Sequence, residues 1–122
     1  MKKTILFLFL LFGFFSVKAQ TSCEDIMEYV KSKSYGTTYY SPSSTAIDKV
    51  TFYEVMIDYK YYNFAIVCFR QEYSYKCKEY IYQVSSRTKL DYSLNYLDSA
   101  GKAFWKYIQP YNENLDCGVK SE

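Results

Sequence analysis

The side chains in this 122-residue sequence most open to chemistry are four cysteines, Cys23, Cys68, Cys77 and Cys117. A cysteine sulfur can serve as nucleophile, metal ligand or crosslink. Structural zinc sites draw thiolates from closely spaced pairs, and gaps of 45, 9 and 40 residues do not supply them. An even set in a short chain points to crosslinks if the chain is exported, and four cysteines allow three pairings. Cys23–Cys117 with Cys68–Cys77 is favoured. The first would tie the two ends together, and the second would cross a hairpin. A register with Cys68 opposite Cys77 sets Phe64 against Ile81 and Ala65 against Tyr80, and leaves residues 71–74 as the loop. A free buried thiol at Cys68 is the alternative.

Other chemistry is thin. The sequence has no histidine, which excludes histidine triads, imidazole metal ligands and imidazole pH switching. Asp91 and Asp98 share one face of an expected helix, about 10 Å apart by helix rise. Acid–base pairs work at such separations, and so do ordinary solvated carboxylates. With no nucleophile motif and no glycine-rich phosphate loop, the expectation is a non-enzymatic protein with no catalytic residues, cofactor or metal.

Tyrosine is the compositional anomaly: all 16 lie beyond residue 19. Tyrosine suits strands, covering a sheet with its ring and leaving its hydroxyl wet. It is also enriched at binding hot spots. Tyr39, Tyr40, Tyr59, Tyr61, Tyr62, Tyr73 and Tyr75 fall near strand ends and turns and are the candidate binding residues. Trp105, the only tryptophan, is expected in the core or half-buried.

The elements that must position these residues follow a leader. Lys2 and Lys3 precede an apolar run from Ile5 to Val17, and Val17-Lys18-Ala19 provides a cleavage site before Gln20. This pattern is a secretory signal peptide; a membrane-spanning helix needs about 20 apolar residues. The expected locale is therefore periplasmic or extracellular, with no span in the mature chain. From residue 20 onward there are 12 basic and 13 acidic residues, which disfavours a nucleic-acid partner. A protein or glycan partner fits better.

Ser22-Cys23-Glu24-Asp25 starts a helix over 22–33, with a hydroxyl cap and acids at the positive end of the helix dipole. Cys23, Ile26, Met27 and Val30 form its apolar stripe. Strands are expected at 37–41, 47–55, 61–70 and 75–84, followed by a helix carrying Leu90, Leu94 and Leu97 and a second helix at 100–108. Leu90, Leu94 and Leu97 form the apolar face of the first of these helices, and Ser99 caps the second. The organisation is signal peptide 1–19, N-terminal helix 20–36, domain 37–110 and tail 111–122. The fold class is α+β: an antiparallel β-meander of about three to four strands, with an N-terminal helix and two C-terminal helices packed on one face. The expected core is Ile47, Val50, Phe52, Phe64, Ile66, Leu94, Leu97, Phe104 and Ile108.

Three segments in order resemble the KTSC domain, a small domain found at the C-terminus of some lysyl-tRNA synthetases and alone in many bacterial proteins. Ser44-x-x-Ile47-x-x-Val50-x-Phe52 is similar to its opening strand. Tyr80-x-Tyr82 followed by Val84 is similar to its Y-x-Y-x-x-V-P strand end, with Val84 one residue early. Ser99-x-Gly101-x-x-Phe104-x-x-x-Ile108 is similar to its closing element. Ser85 stands where that family usually has proline, and Trp105 where it has asparagine. The resemblance implies a small β-meander with C-terminal helices. It implies no catalytic residue set, and its synthetase setting implies RNA contact, which the mature charge disfavours.

Overall fold

Two eleven-residue strands, β2 (Ile47–Ile57) and β3 (Lys60–Arg70), form the centre of the computed structural model, which describes residues 22–119. The expected leader and its cut before Gln20 lie outside the described residues. β1 (Thr37–Tyr40) pairs with β2 on one side and β4 (Cys77–Val84) with β3 on the other, giving an antiparallel sheet in the order β1-β2-β3-β4. The α+β meander expected from the sequence is the observed class.

The β2–β3 connection is tighter than the 56–60 segment expected. Asp58 and Tyr59 alone make the turn, both with positive φ (49° and 67°). That is the backbone of a two-residue primed hairpin turn, usually signalled by Asn-Gly or Asp-Gly. Here tyrosine occupies the second left-handed position, so the usual signal is missing.

The β3–β4 register is offset by two residues from the expected one. Cys68 lies opposite Glu79 and Arg70 opposite Cys77, so Ile66 faces Ile81 and Ala65 faces Tyr82. A two-residue offset keeps every side chain on its face. The two cysteines are therefore diagonal neighbours with Cα atoms 5.3 Å apart, and they are joined as expected. The loop lengthens to residues 71–76.

Alternation along the long strands gives the sheet two apolar faces. Val50, Phe52, Ala65, Val67, Tyr82 and Val84 line one. Val55, Phe64, Ile66 and Ile81 line the other. A sheet apolar on both sides needs a cover on both, so the helices are divided between the faces and do not share one. Helix α1 (22–33) covers the second face, with Val30 fully buried and Ile26 and Met27 packed beside it. Helices α2 (Thr88–Asn95) and α3 (Ala100–Tyr107) cover the first.

Helix α2 presents a different side from the one expected. Thr88 and Tyr92 are buried and Tyr96 is half-buried, whereas Leu90, Leu94 and Leu97 are 54, 73 and 79 % exposed. Leu94 and Leu97 therefore leave the expected core and Tyr92 enters it. The phase is set at the helix start. The Ser85 N–H donates to Thr88 Oγ1 at 3.1 Å, and the two hydroxyls lie 2.9 Å apart, which holds Thr88 inward. Positions four and eight residues on must then face the sheet. There Tyr92 stacks on Tyr96 with ring centroids 5.4 Å apart, and Tyr39 and Phe52 approach edge-on or tilted.

Helix α3 follows expectation. Ser99 is extended and its hydroxyl accepts the Lys102 N–H at 3.2 Å. Ala100, Ala103, Phe104 and Ile108 are buried. Phe104 meets Phe69 and Tyr82 edge-on at 5.1 and 5.5 Å. Trp105 departs from the expected core or half-buried place: it packs against Phe104 edge-on but is exposed, at 48 %, because it lies on the side of α3 away from Ala100, Ala103 and Phe104.

The tail is structured beyond Pro110. A 3-10 turn (Gln109–Tyr111) leads into the short helix α4 (Asn112–Leu115). Asn114 donates to the Gln83 carbonyl at 2.8 Å, so the tail covers part of the outer edge of β4. Leu115 and Cys117 then reach the α1 face, where Cys117 is joined to Cys23 with Cα atoms 5.6 Å apart. The ends are thus clamped, as the favoured pairing implies.

Candidate functional site: a groove between helix α1 and the sheet

Helix α1 runs across the sheet without filling the space at its N-terminal end. A groove of about 640 Å3 remains there. Its helical wall is Ile26, Tyr29 and Val30, its floor is Ile57, Tyr62 and Phe64, and Leu115 closes one side. Polar groups come from Ser22 and Asp25 at the helix start and from Gln83 on β4. This volume and mostly apolar lining, with a few polar groups at the rim, are the properties of ligand sites.

Each wall has a local cause. The floor residues Ile57, Tyr62 and Phe64 project from the upper ends of β2 and β3 on the face that α1 covers. The tight Asp58–Tyr59 turn brings those ends together, with Val55 paired to Tyr62 and Ile57 to Lys60. The helical wall is fixed at its first turn by Cys23–Cys117. Further along, Lys31 Nζ meets Glu79 Oε1 on β4 at 2.7 Å. That pair is solvent-exposed and adds little stability. Lys33 Nζ lies 5.5 Å from the centre of the Tyr29 ring at the groove's rim. Burial lifts the Tyr53 phenol above its ordinary value, with Lys31 acting against that rise and Glu79 reinforcing it.

The structure distributes the seven candidate tyrosines and does not gather them. Tyr62 lies in the groove. Tyr39 packs against the core beside Phe52, Tyr92 and Tyr96. Tyr59 and Tyr61 are exposed at the β2–β3 end of the sheet. Tyr40, Tyr73 and Tyr75 are exposed around the opposite end, where the β1–β2 and β3–β4 loops lie. Helices cover both sheet faces, so no open tyrosine-lined face exists among the described residues. Sequence reasoning missed Tyr29, which belongs to the site. Its signal was its place beside the apolar stripe of α1, next to Val30.

A second hollow of about 370 Å3 lies between the β1–β2 loop and the α2–α3 connection, lined by Ser41, Ser43, Ser44, Asp98 and Ser99 among others. Arg70 closes that loop from below. Its guanidinium donates to the carbonyls of Ser44 and Ser41 at 2.9 and 3.0 Å and meets Asp48 Oδ1 at 3.1 Å. Behind it, burial pushes the Tyr92 phenol up to about 12, tempered by the neighbouring Ser41 hydroxyl. Asp91 and Asp98 do not converge on a common cleft: Asp91 pairs with Arg87 at 3.5 Å, and Asp98 borders the hollow. Asp48 lies within 4.8 Å of the sulfurs of Cys68 and Cys77, but those sulfurs are joined and offer no thiolate.

Comparison of the chain with family models, curated proteins and solved structures gives no match.

Proposed function

We propose that the protein is an exported, non-enzymatic binding module, similar to a KTSC domain, that takes an apolar segment of a protein partner into the α1 groove. The groove carries this reading. It is mainly apolar, it is built on regular elements, and a crosslink fixes its helical wall, so little ordering is left to oppose binding. An apolar lining with one carboxylate at its rim suits aliphatic or aromatic side chains better than a sugar, which needs several polar partners.

The two disulfides favour an oxidising compartment. Among the described residues no helix is long and apolar enough to cross a membrane. The segments that carry the KTSC resemblance lie on β2 with the loop before it, on β4 and on α3.

The test is selection of displayed random peptides on the oxidised protein, followed by competition. Selected peptides should share an aliphatic or aromatic anchor, and their binding should be lost in Tyr62→Ala and Tyr29→Ala and kept in Tyr73→Ala/Tyr75→Ala. Selected peptides that bind both groove variants undiminished would refute the groove as the site.

A further inference from the structure

We infer that the outer face of helices α2 and α3, on the opposite side of the sheet from the groove, docks on an anionic phospholipid surface. Leu90 and Leu94 lie on the side of α2 opposite its buried Thr88 and Tyr92, Leu97 follows in the turn after the helix, and all three are exposed. On α3, Lys102 and Trp105 lie opposite the buried Ala100, Ala103 and Phe104. The two helices lie side by side on one face of the sheet, so their outward residues form one surface with leucines, lysines and a tryptophan together.

Charge decides what that surface meets. Residues 87–108 carry Arg87, Lys89, Lys102 and Lys106 against Asp91 and Asp98. The remainder of the chain from residue 20 carries eight basic and eleven acidic residues. The helical layer thus carries a net +2 on a slightly acidic chain; Arg87 is paired with Asp91 and Lys89 reaches Thr37 on β1, so Lys102 and Lys106 on the outer side of α3 are the cations that remain for a partner. Exposed leucines for the acyl boundary, tryptophan at headgroup depth and lysines for lipid phosphates are the parts of an interfacial membrane contact. A second copy of the chain is a poorer occupant. The leucines span only about two turns of helix, like positive charges would face each other, and a stable dimer buries roughly 800 Å2 per partner. Docked this way, the protein would lie on the membrane with the α1 groove turned away from it.

Trp105 is the only tryptophan, so its emission reports the contact directly. With the oxidised protein, phosphatidylglycerol vesicles should blue-shift the emission and co-sediment the protein, and phosphatidylcholine vesicles should do neither. Lys102→Glu with Lys106→Glu should weaken partitioning about 25-fold or more, since each basic residue near the surface contributes roughly a factor of five. Leu94→Asp with Leu97→Asp should abolish the shift, and unchanged circular dichroism will show that this variant is folded. No binding to phosphatidylglycerol vesicles overturns the inference. So does equal binding to both vesicle types. A blue shift that grows with protein concentration in the absence of lipid overturns it in favour of self-association.

Discussion

The hydroxyl of Tyr82, on β4, accepts the backbone N–H of Val119 at 2.8 Å. The tail is thereby fastened over a side chain that is otherwise fully buried. Gly118 lies so close to the Tyr82 ring that a Cβ there would overlap it, and Asn112 Oδ1 holds the Gly118 N–H at 2.7 Å. Gly118→Ala should therefore cost about 1–3 kcal/mol through overpacking, and Tyr82→Phe about 1 kcal/mol through the lost hydrogen bond. Urea denaturation measures both.

Alkaline pH should loosen the fold through the same residue. Burial pushes the phenols of Tyr82 and Tyr92 up from 10.0 to about 12. In the unfolded chain these groups ionise near pH 10, so between pH 10 and 12 the unfolded state binds fewer protons than the folded one. Stability is then fully present below pH 10 and is lost as pH rises towards 12. The loss is of order 2–3 kcal/mol for each phenol. Denaturation midpoints measured across this range should fall steeply in the wild type and less steeply in Tyr82→Phe. Equal slopes would show that Tyr82 does not titrate in this way.

Phe104 and Leu94 should separate cleanly as probes of the helical layer. Phe104 is fully buried between Phe69 and Tyr82, and Phe104→Ala should cost about 3–5 kcal/mol. Leu94→Ala removes an exposed side chain and should change stability by less than about 0.5 kcal/mol. A large loss from Leu94→Ala would mean that its side chain is buried in solution.

That contrast marks where the sequence is legible. Strand composition and period placed β2, β3, β4 and α3 close to their observed limits, because their apolar residues can be satisfied only by the sheet core. The phase of α2 was not legible. Two stripes compete on it, leucines at 90, 94 and 97 and Thr88-Tyr92-Tyr96. Hydropathy counts tyrosine as half polar, and the deciding hydrogen bonds join Thr88 to Ser85, which lies outside the helix. The groove was not legible either. It is a space left between α1 and the strand ends, fixed by the angle at which α1 crosses the sheet. Tyr62 was picked out for its place near a strand end, but nothing in the sequence pairs it with Tyr29.

The Cys23–Cys117 crosslink closes a long loop, with 94 residues of sequence separation. Cys23→Ser with Cys117→Ser should cost about 2–5 kcal/mol. It should also speed amide hydrogen exchange over 22–33 more than in the central strands β2 and β3. Uniform acceleration across the chain would mean that the crosslink stabilises the whole fold without anchoring α1 in particular.

The most direct test of the binding account is amide chemical-shift mapping of the oxidised protein with a peptide selected for an apolar anchor. The account predicts perturbations centred on Ile26, Tyr29, Ile57, Tyr62 and Leu115, abolished by Tyr62→Ala. Perturbations confined to the loops carrying Tyr59, Tyr73 and Tyr75, with the groove residues unmoved, would contradict it.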